Sequence, residues 1–227
     1  MVVMKKLFLP VVLVSIFIAL YSQNSVFASE VRALRANQVF QFWDKYLTLP
    51  PHIRDGFNLL YTIRSRSGPL PELYLVNGAQ RTLLRTDRNG VILNPPDLEN
   101  FRRATVELPN SGTSDSKAKG SGISVNLDIE PIIPLGRSVA VSAINNALSD
   151  YRDGIRIAGG PAALMAPKFT SIAFKGAQSG FVNFSNSRQI PLVKQGDALV
   201  FTPSAANARG AINLAFNTAP NRADYAR

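Results

Sequence analysis

Along most of this chain, apolar and polar residues alternate, which is the pattern of β-strands that bury one face. The clearest case is ISVNLDIE at 123–130, where every second side chain is a branched aliphatic. The same alternation predicts a strand over 57–63. From Lys168 onward it predicts strands in FTSIAF, GFVNFS, QIPLV, ALVFT and AINLAF. The pattern therefore predicts a mainly β protein.

The stretch from Leu73 to Leu108 predicts a series of hairpin strands. Asn77-Gly78 is a strong signal for a tight type I′ turn, and Asp87–Gly90 predicts a second, looser turn. The strands between these turns are expected near 72–76, 79–85, 91–93 and 102–108. A fainter echo of this unit runs from Val182 to Leu214, and duplication and coincidence both stay open as its origin.

Two segments instead space their apolar residues as an amphipathic helix does. Residues 30–46 carry Val39, Phe42, Trp43 and Tyr46 on one face, and Pro50-Pro51 follows. Residues 138–152 carry Val141, Ile144, Leu148 and Tyr151, with Ile155 continuing the stripe. We predict that both helices pack on the β core.

These elements predict a mainly β (α+β) fold in which β-sandwich-like antiparallel sheets carry two packed amphipathic helices. The expected order is a signal peptide, a unit with one helix and β-hairpins, a flexible linker, a unit with a strand, the second helix and further strands, and a frayed tail. Their boundaries are 1–28, 29–108, 109–121, 122–217 and 218–227. Whether the two β units form one domain or two stays open.

The first 28 residues have the pattern of a signal peptide. Lys5 and Lys6 precede an apolar run from Leu7 to Leu20, and Val26 and Ala28 occupy the −3 and −1 positions of a cleavage site. We expect export to the periplasm or the extracellular space. Retention of this segment as an anchor is the alternative, and it is the only predicted route to a membrane. The chain has no cysteine, which fits a bacterial envelope and excludes thiolate chemistry.

The positive charge of the chain narrows its expected partners. Removing Lys5 and Lys6 lowers the net charge from +10 to +8. Outside the cytoplasm we expect no nucleic acid partner. The expected partner is another envelope protein, an anionic polysaccharide or a lipid headgroup. The alternative is a basic surface that only keeps the protein soluble.

The candidate binding residues are basic side chains around the predicted hairpins: Arg81, Arg85, Arg88, Arg102 and Arg103. Two of them, Arg81 and Arg85, are four residues apart on one predicted strand and so share a face. If Arg103 lies on a neighbouring strand, a cationic patch results. Neutralisation by Asp87, Glu99 and Glu107 is the alternative.

The sequence lacks the residues that nucleophilic or metal-dependent catalysis requires. His52 is the only histidine, and no G-x-S-x-G motif accompanies any serine. One histidine without cysteine does not make a zinc site. The segment Asp87–Gly90 resembles part of a calcium loop but lacks the ligands at either end. We therefore predict no catalytic residue, no metal and no cofactor.

One carboxylate pair provides an enzymatic alternative. Asp128 and Glu130 project from the same face of one predicted strand, at a separation of about 7 Å from strand geometry. Glycoside hydrolases use two carboxylates, but these normally come from different elements across a cleft. A glycan hydrolase of the envelope is therefore the second hypothesis.

The segment from Leu83 to Leu93, with Thr86-Asp87-Arg88-Asn89-Gly90 between apolar strands, resembles the T-D-x-x-G turn of carboxypeptidase-regulatory and transthyretin-like β-sandwich modules. The resemblance covers the turn and its flanking residues, and it assigns no family. Such modules are commonly accessory units without catalytic residues. The resemblance thus implies a β-sandwich and a non-catalytic role.

The sequence as a whole predicts an exported bacterial envelope protein without a catalytic centre, acting as an accessory binding or structural module. The carboxylate hydrolase is the enzymatic alternative. A structural protein that assembles through its β edges is a third possibility.

Overall fold

The computed structural model of the chain describes residues 31–65, 68–109, 123–160 and 166–227. The predicted signal peptide and, apart from Pro109, the predicted linker lie outside these ranges. The described part is mainly β, and its strands form four antiparallel sheets. None of its helices is long and apolar enough to cross a bilayer.

The first half of the described chain contains six strands and four short helices. In chain order they are β1 Val31–Arg35, α1 Ala36–Val39, α2 Trp43–Leu47, α3 Pro51–Arg54, β2 Phe57–Ser65, β3 Leu73–Asn77, β4 Gln80–Leu84, α4 Leu98–Arg103, β5 Thr105–Pro109 and β6 Ile123–Pro131. Four of these strands make one sheet in the order β1-β5-β3-β4, and β2 pairs with β6 as a separate ribbon.

The second half contains one long helix and eight strands. In chain order they are β7 Ser138–Ala140, α5 Val141–Ala158, β8 Ser171–Lys175, β9 Gly180–Phe184, β10 Gln189–Pro191, β11 Val193–Gln195, β12 Ala198–Phe201, β13 Ala211–Phe216 and β14 Arg222–Ala226, with a 3-10 helix at Ala206–Ala208 before β13. One sheet has the order β10-β9-β13-β7, and the other has the order β11-β12-β8-β14.

Two clusters of buried apolar side chains hold these elements together. One lies in the first half of the chain and includes Phe40, Leu73 and Val106. The other joins α5 to both sheets of the second half. Tyr46 and Leu59 pack against both clusters. The β2–β6 ribbon and α2 therefore form the joint between the two halves.

The predicted helix over 30–46 is wrong. Residues Val31–Arg35 pair with β5 as an edge strand, and the helical spacing that follows is interrupted at Phe42. Phe42 has a φ of 66° and a ψ of 0°, a left-handed conformation that a bulky residue rarely adopts. The apolar residues of the predicted helix therefore belong to two short helices, α1 and α2, and to the turn between them.

The second predicted helix is confirmed, with shifted ends. Residues 138–140 belong to β7 because they pair with β13, so α5 begins at Val141. The helix continues six residues beyond the predicted end and stops before Gly159. Its predicted stripe is correct, since Val141, Ile144, Leu148 and Tyr151 are buried.

The hairpin turn lies one residue later than expected. Asn77 pairs with Gln80, so the two-residue loop is Gly78-Ala79, with a φ of 59° at Gly78. Glycine in the first loop position is typical of a type II′ turn. The strand expected over 102–108 is shorter, because Arg102 and Arg103 end helix α4 and β5 begins at Thr105.

The predicted frayed tail is also wrong. Residues Arg222–Ala226 form β14 and pair with β8 along its whole length. Two apolar side chains of this short strand, Ala223 and Tyr225, are buried in the second cluster. The strand is held in place because its backbone pairs with β8 and its apolar side chains pack in the core.

Candidate functional site

Arg81 lies in a compact arrangement across the outer face of the first sheet. Its Nε atom donates to Glu107 Oε2 at 2.8 Å, and its guanidinium lies 3.4 Å from the centroid of the Tyr74 ring. The hydrogen bond to Glu107 raises the pKa of Arg81. Both interactions occupy the guanidinium, so Arg81 contributes less free positive charge than the sequence suggests.

The other four predicted arginines do not share one strand face. Arg103 is on α4 and lies 3.6 Å from Glu99, with both side chains exposed. Arg85 follows β4, Arg88 lies in the following turn, and Arg102 is on α4; within the described residues none of these three forms an ion pair. The geometry thus pairs two of the five arginines with glutamates.

Asp87 holds the turn through its side-chain carboxylate, which accepts hydrogen bonds from the backbone. Its Oδ1 atom accepts hydrogen bonds from the N–H groups of Asn89 and Val91, each at 2.8 Å. These bonds, with that from Val91 the stronger cause, lower the pKa of Asp87. Turn formation accounts for the sequence that resembles part of a calcium loop. No group of metal-ligating side chains occurs in the parts of the chain that the structure describes.

His52 and the predicted carboxylate pair lie in different surroundings. His52 is exposed on α3. Asp128 is exposed on β6, whereas Glu130 is half-buried, 4.0 Å from the Arg222 Nε atom. Burial raises the pKa of Glu130, and Arg222 opposes that shift. Arg222 also contacts Asp224 at 2.6 Å, so Glu130 lies beside a surface ion-pair network.

A groove of 860 Å³ runs along α5. We call it the α5 groove. The helix contributes one wall, and the segment 166–170 contributes the other. Among the described residues, its polar lining consists of two cations and six amide or hydroxyl side chains, and it includes no carboxylate: Asn145, Asn146, Ser149, Tyr151, Arg152, Lys168, Thr170 and Ser204.

Hydrogen bonds fix both walls of the α5 groove. Tyr151 donates from its hydroxyl to the Pro167 carbonyl oxygen at 2.8 Å, which joins the helix to the opposite wall. Burial raises the pKa of Tyr151 to about 12, so this hydroxyl stays protonated. Arg152 Nε donates to the Leu148 carbonyl oxygen at 3.1 Å. The ring of Phe169 stacks on Tyr225 with centroids 5.0 Å apart.

A second cavity, of 390 Å³, lies between α2, α5 and the β2–β6 ribbon. We call it the apolar pocket. Its lining includes Leu59, Leu127 and Ile155, with Lys45 as the one charged side chain among the described residues. Phe42, the residue with left-handed backbone, also lines it and is 51% exposed. Such a conformation costs on the order of 1–3 kcal/mol and occurs often at ligand-binding positions.

No known family, curated protein or solved structure matches this chain. The turn resemblance to β-sandwich modules therefore rests on turn chemistry, which Asp87 and Gly90 supply locally. The site must be interpreted from its own geometry.

Sequence reasoning missed both cavities. The signal for the α5 groove was the polar face of the second helix, where Asn145, Ser149 and Arg152 are spaced as one stripe. Its partner segment, residues 166–170, carries no motif. The sequence feature nearest the apolar pocket is Phe42. Its helical spacing predicts a core position, whereas its side chain is 51% exposed in the structure.

Proposed function

We propose that this chain is an exported bacterial envelope protein that binds an anionic polysaccharide without cleaving it. The site is the α5 groove. The observation that carries the proposal is the lining of that groove, in which, among the residues that the structure describes, Arg152 and Lys168 are accompanied by amide and hydroxyl groups but by no acidic side chain. Guanidinium, ammonium and amide groups are the donors that sugar carboxylates and hydroxyls require.

The scaffold supports a rigid groove. We propose that the two four-stranded sheets of the second half form a β-sandwich beneath α5. Both sheets contribute to one buried cluster. Phe174 of β8 and Phe216 of β13 have ring centroids 5.1 Å apart, so side chains of the two sheets meet directly. Export rests on the predicted signal peptide.

Reversing both groove cations, Arg152→Glu with Lys168→Glu, is expected to weaken the binding of alginate oligosaccharides about tenfold or more. Each charge-assisted hydrogen bond contributes about 1.5–3 kcal/mol, and a tenfold change in affinity is about 1.4 kcal/mol. Isothermal titration calorimetry of the exported chain measures the affinity. Binding should weaken further as salt screens the charges.

A matched control is the variant Arg85→Glu with Arg88→Glu, which changes the net charge equally at two arginines outside any described ion pair. It should bind as the unmodified chain does. A loss confined to this control would move the site to the predicted arginines.

Chromatography of the oligosaccharide after incubation should show unchanged length. Shortened products would instead support a hydrolase that uses Asp128 and Glu130.

A further inference from the structure

The apolar pocket has the size of a small-molecule site. Its 390 Å³ falls within the roughly 300–1,000 Å³ of typical ligand pockets. It lies at the joint where Tyr46 and Leu59 contact both core clusters. It shares Tyr151, Ile155, Ala166 and Pro167 with the α5 groove, but the groove cations Arg152 and Lys168 do not line it.

The wall chemistry of the apolar pocket favours a hydrocarbon. Aliphatic side chains from the ribbon and from α5 line it, and the two hydroxyl groups of its lining are already engaged. Tyr46 donates to the Phe57 carbonyl oxygen at 3.1 Å, and Tyr151 donates to the Pro167 carbonyl oxygen at 2.8 Å. A ligand that is polar along its whole length would lose its hydration here, and neither hydroxyl has a free proton to donate to it.

The positive charge of Lys45 at the apolar pocket favours a ligand with an anionic end group. Lys45 is exposed on α2 and forms no ion pair with any other described residue. A lysine at the edge of an apolar wall can extend its ammonium toward solvent while its methylenes remain on the wall. An anionic end group at the mouth would give it a partner.

Phe42 is an independent observation that points to the same place. Its φ of 66° is one of two positive values among the described non-glycine residues, and its ring stays half exposed beside the pocket. Left-handed backbone at a bulky side chain persists only where the surrounding structure enforces it, and such strain clusters at ligand-contacting positions. A bound hydrocarbon would cover this ring.

We propose that the apolar pocket binds one single-chain fatty acid, with the hydrocarbon against Leu59, Leu127 and Ile155 and the carboxylate beside the Lys45 ammonium. One chain suits a pocket of this volume. The ligand would lie against both halves of the protein and stabilise the joint between them.

The only tryptophan of the chain reports directly on this pocket. Trp43 stacks on the pocket residue Tyr46, with ring centroids 5.1 Å apart and planes inclined by 23°. Because bromine quenches indole fluorescence at short range, 11-bromoundecanoate should quench Trp43 saturably at one equivalent of the exported chain. Undecanoate should displace it, and undecanol should compete about tenfold less well because it lacks the charge.

Two variants test the two ends of the ligand. Lys45→Gln should make undecanoate and undecanol equal competitors. Ala158→Phe fills the pocket and should weaken quenching at least tenfold, whereas Ala143→Phe, the same change at a half-buried alanine of α5 outside the pocket lining, should not. If the helix variants fail to fold, the exposed Lys45 variant still decides the carboxylate assignment.

Three results would overturn the proposal. The first is the absence of saturable quenching in the unmodified chain. The second is quenching that Ala158→Phe leaves unchanged, which would place the probe elsewhere. The third is a tenfold preference for the acid that survives Lys45→Gln.

Discussion

Replacing Tyr225 by alanine is expected to lower the free energy of unfolding by about 3–5 kcal/mol. The residue lies in the last strand but is only 9% exposed. Its ring centroid is 5.0 Å from that of Phe169 and 5.1 Å from that of Tyr151. Its hydroxyl donates to the Ala147 carbonyl oxygen at 2.9 Å. Alanine leaves a cavity among these rings and removes the hydrogen bond. Urea denaturation followed by circular dichroism measures the loss.

The variant Tyr225→Phe separates the ring from the hydroxyl. It keeps the aromatic packing and removes only the donor, so we expect a loss of about 1 kcal/mol. An alanine variant as stable as the phenylalanine variant would contradict the buried position of this ring. It would instead favour the frayed tail predicted from the sequence.

Replacing Gly90 by alanine is expected to cost about 3 kcal/mol. Its φ is 83°, a conformation that costs other residues about 1–2 kcal/mol. A Cβ atom at Gly90 would also lie 2.3 Å from the backbone oxygen of Ile63, and overpacking of this kind typically costs about 1–3 kcal/mol. Backbone of β2 cannot easily move aside, since Ile63 donates its own N–H to the Gly90 carbonyl oxygen at 2.8 Å. Chemical denaturation provides the measurement.

Gly78→Ala is the matched control for Gly90→Ala. Gly78 also has a left-handed backbone, with a φ of 59°, but an added Cβ atom would meet nothing within 4 Å. The control should therefore lose only the conformational term, about 1–2 kcal/mol. Equal losses at the two glycines would show that contact between the turn and β2 adds nothing to stability.

Strand positions were predictable because one-sided burial leaves a period of two in the sequence. In β6, the aliphatic residues of 123–129 alternate with polar ones, and the strand pairs with β2 over nine residues. The stripe of α5 was equally readable, since its apolar residues contact a single core. In both cases a local pattern and the tertiary contacts demand the same conformation.

The N-terminal segment and the tail could not be read in this way. Helical spacing relates Phe42, Trp43 and Tyr46. The residues at 31–35, however, pair with β5 as an edge strand, and Phe42 has a left-handed backbone conformation. The tail is polar at alternate positions, and its fixed position comes from pairing with β8 some fifty residues earlier. Long-range pairing overrides local preference at both ends.

The candidate sites depended even more on tertiary structure. The α5 groove brings Lys168 and Arg152 into one lining, and a hydrogen bond from Tyr151 to Pro167 joins the two segments that carry them. The predicted arginine patch assumed that Arg103 lies on a strand beside Arg81, whereas Arg103 ends helix α4. Charge and composition predict an anionic partner in general, but only the fold indicates which cations share a groove that no described carboxylate lines.

The most direct test of groove binding is an NMR titration of the isotope-labelled protein with an alginate oligosaccharide. Binding in the α5 groove predicts that the largest amide shifts fall at the non-proline residues of 145–152 and 166–170 and at Ser204, while signals of the hairpin at 81–88 stay in place. Shifts concentrated at that hairpin or at Asp128 and Glu130, or no shifts at all, would contradict the account.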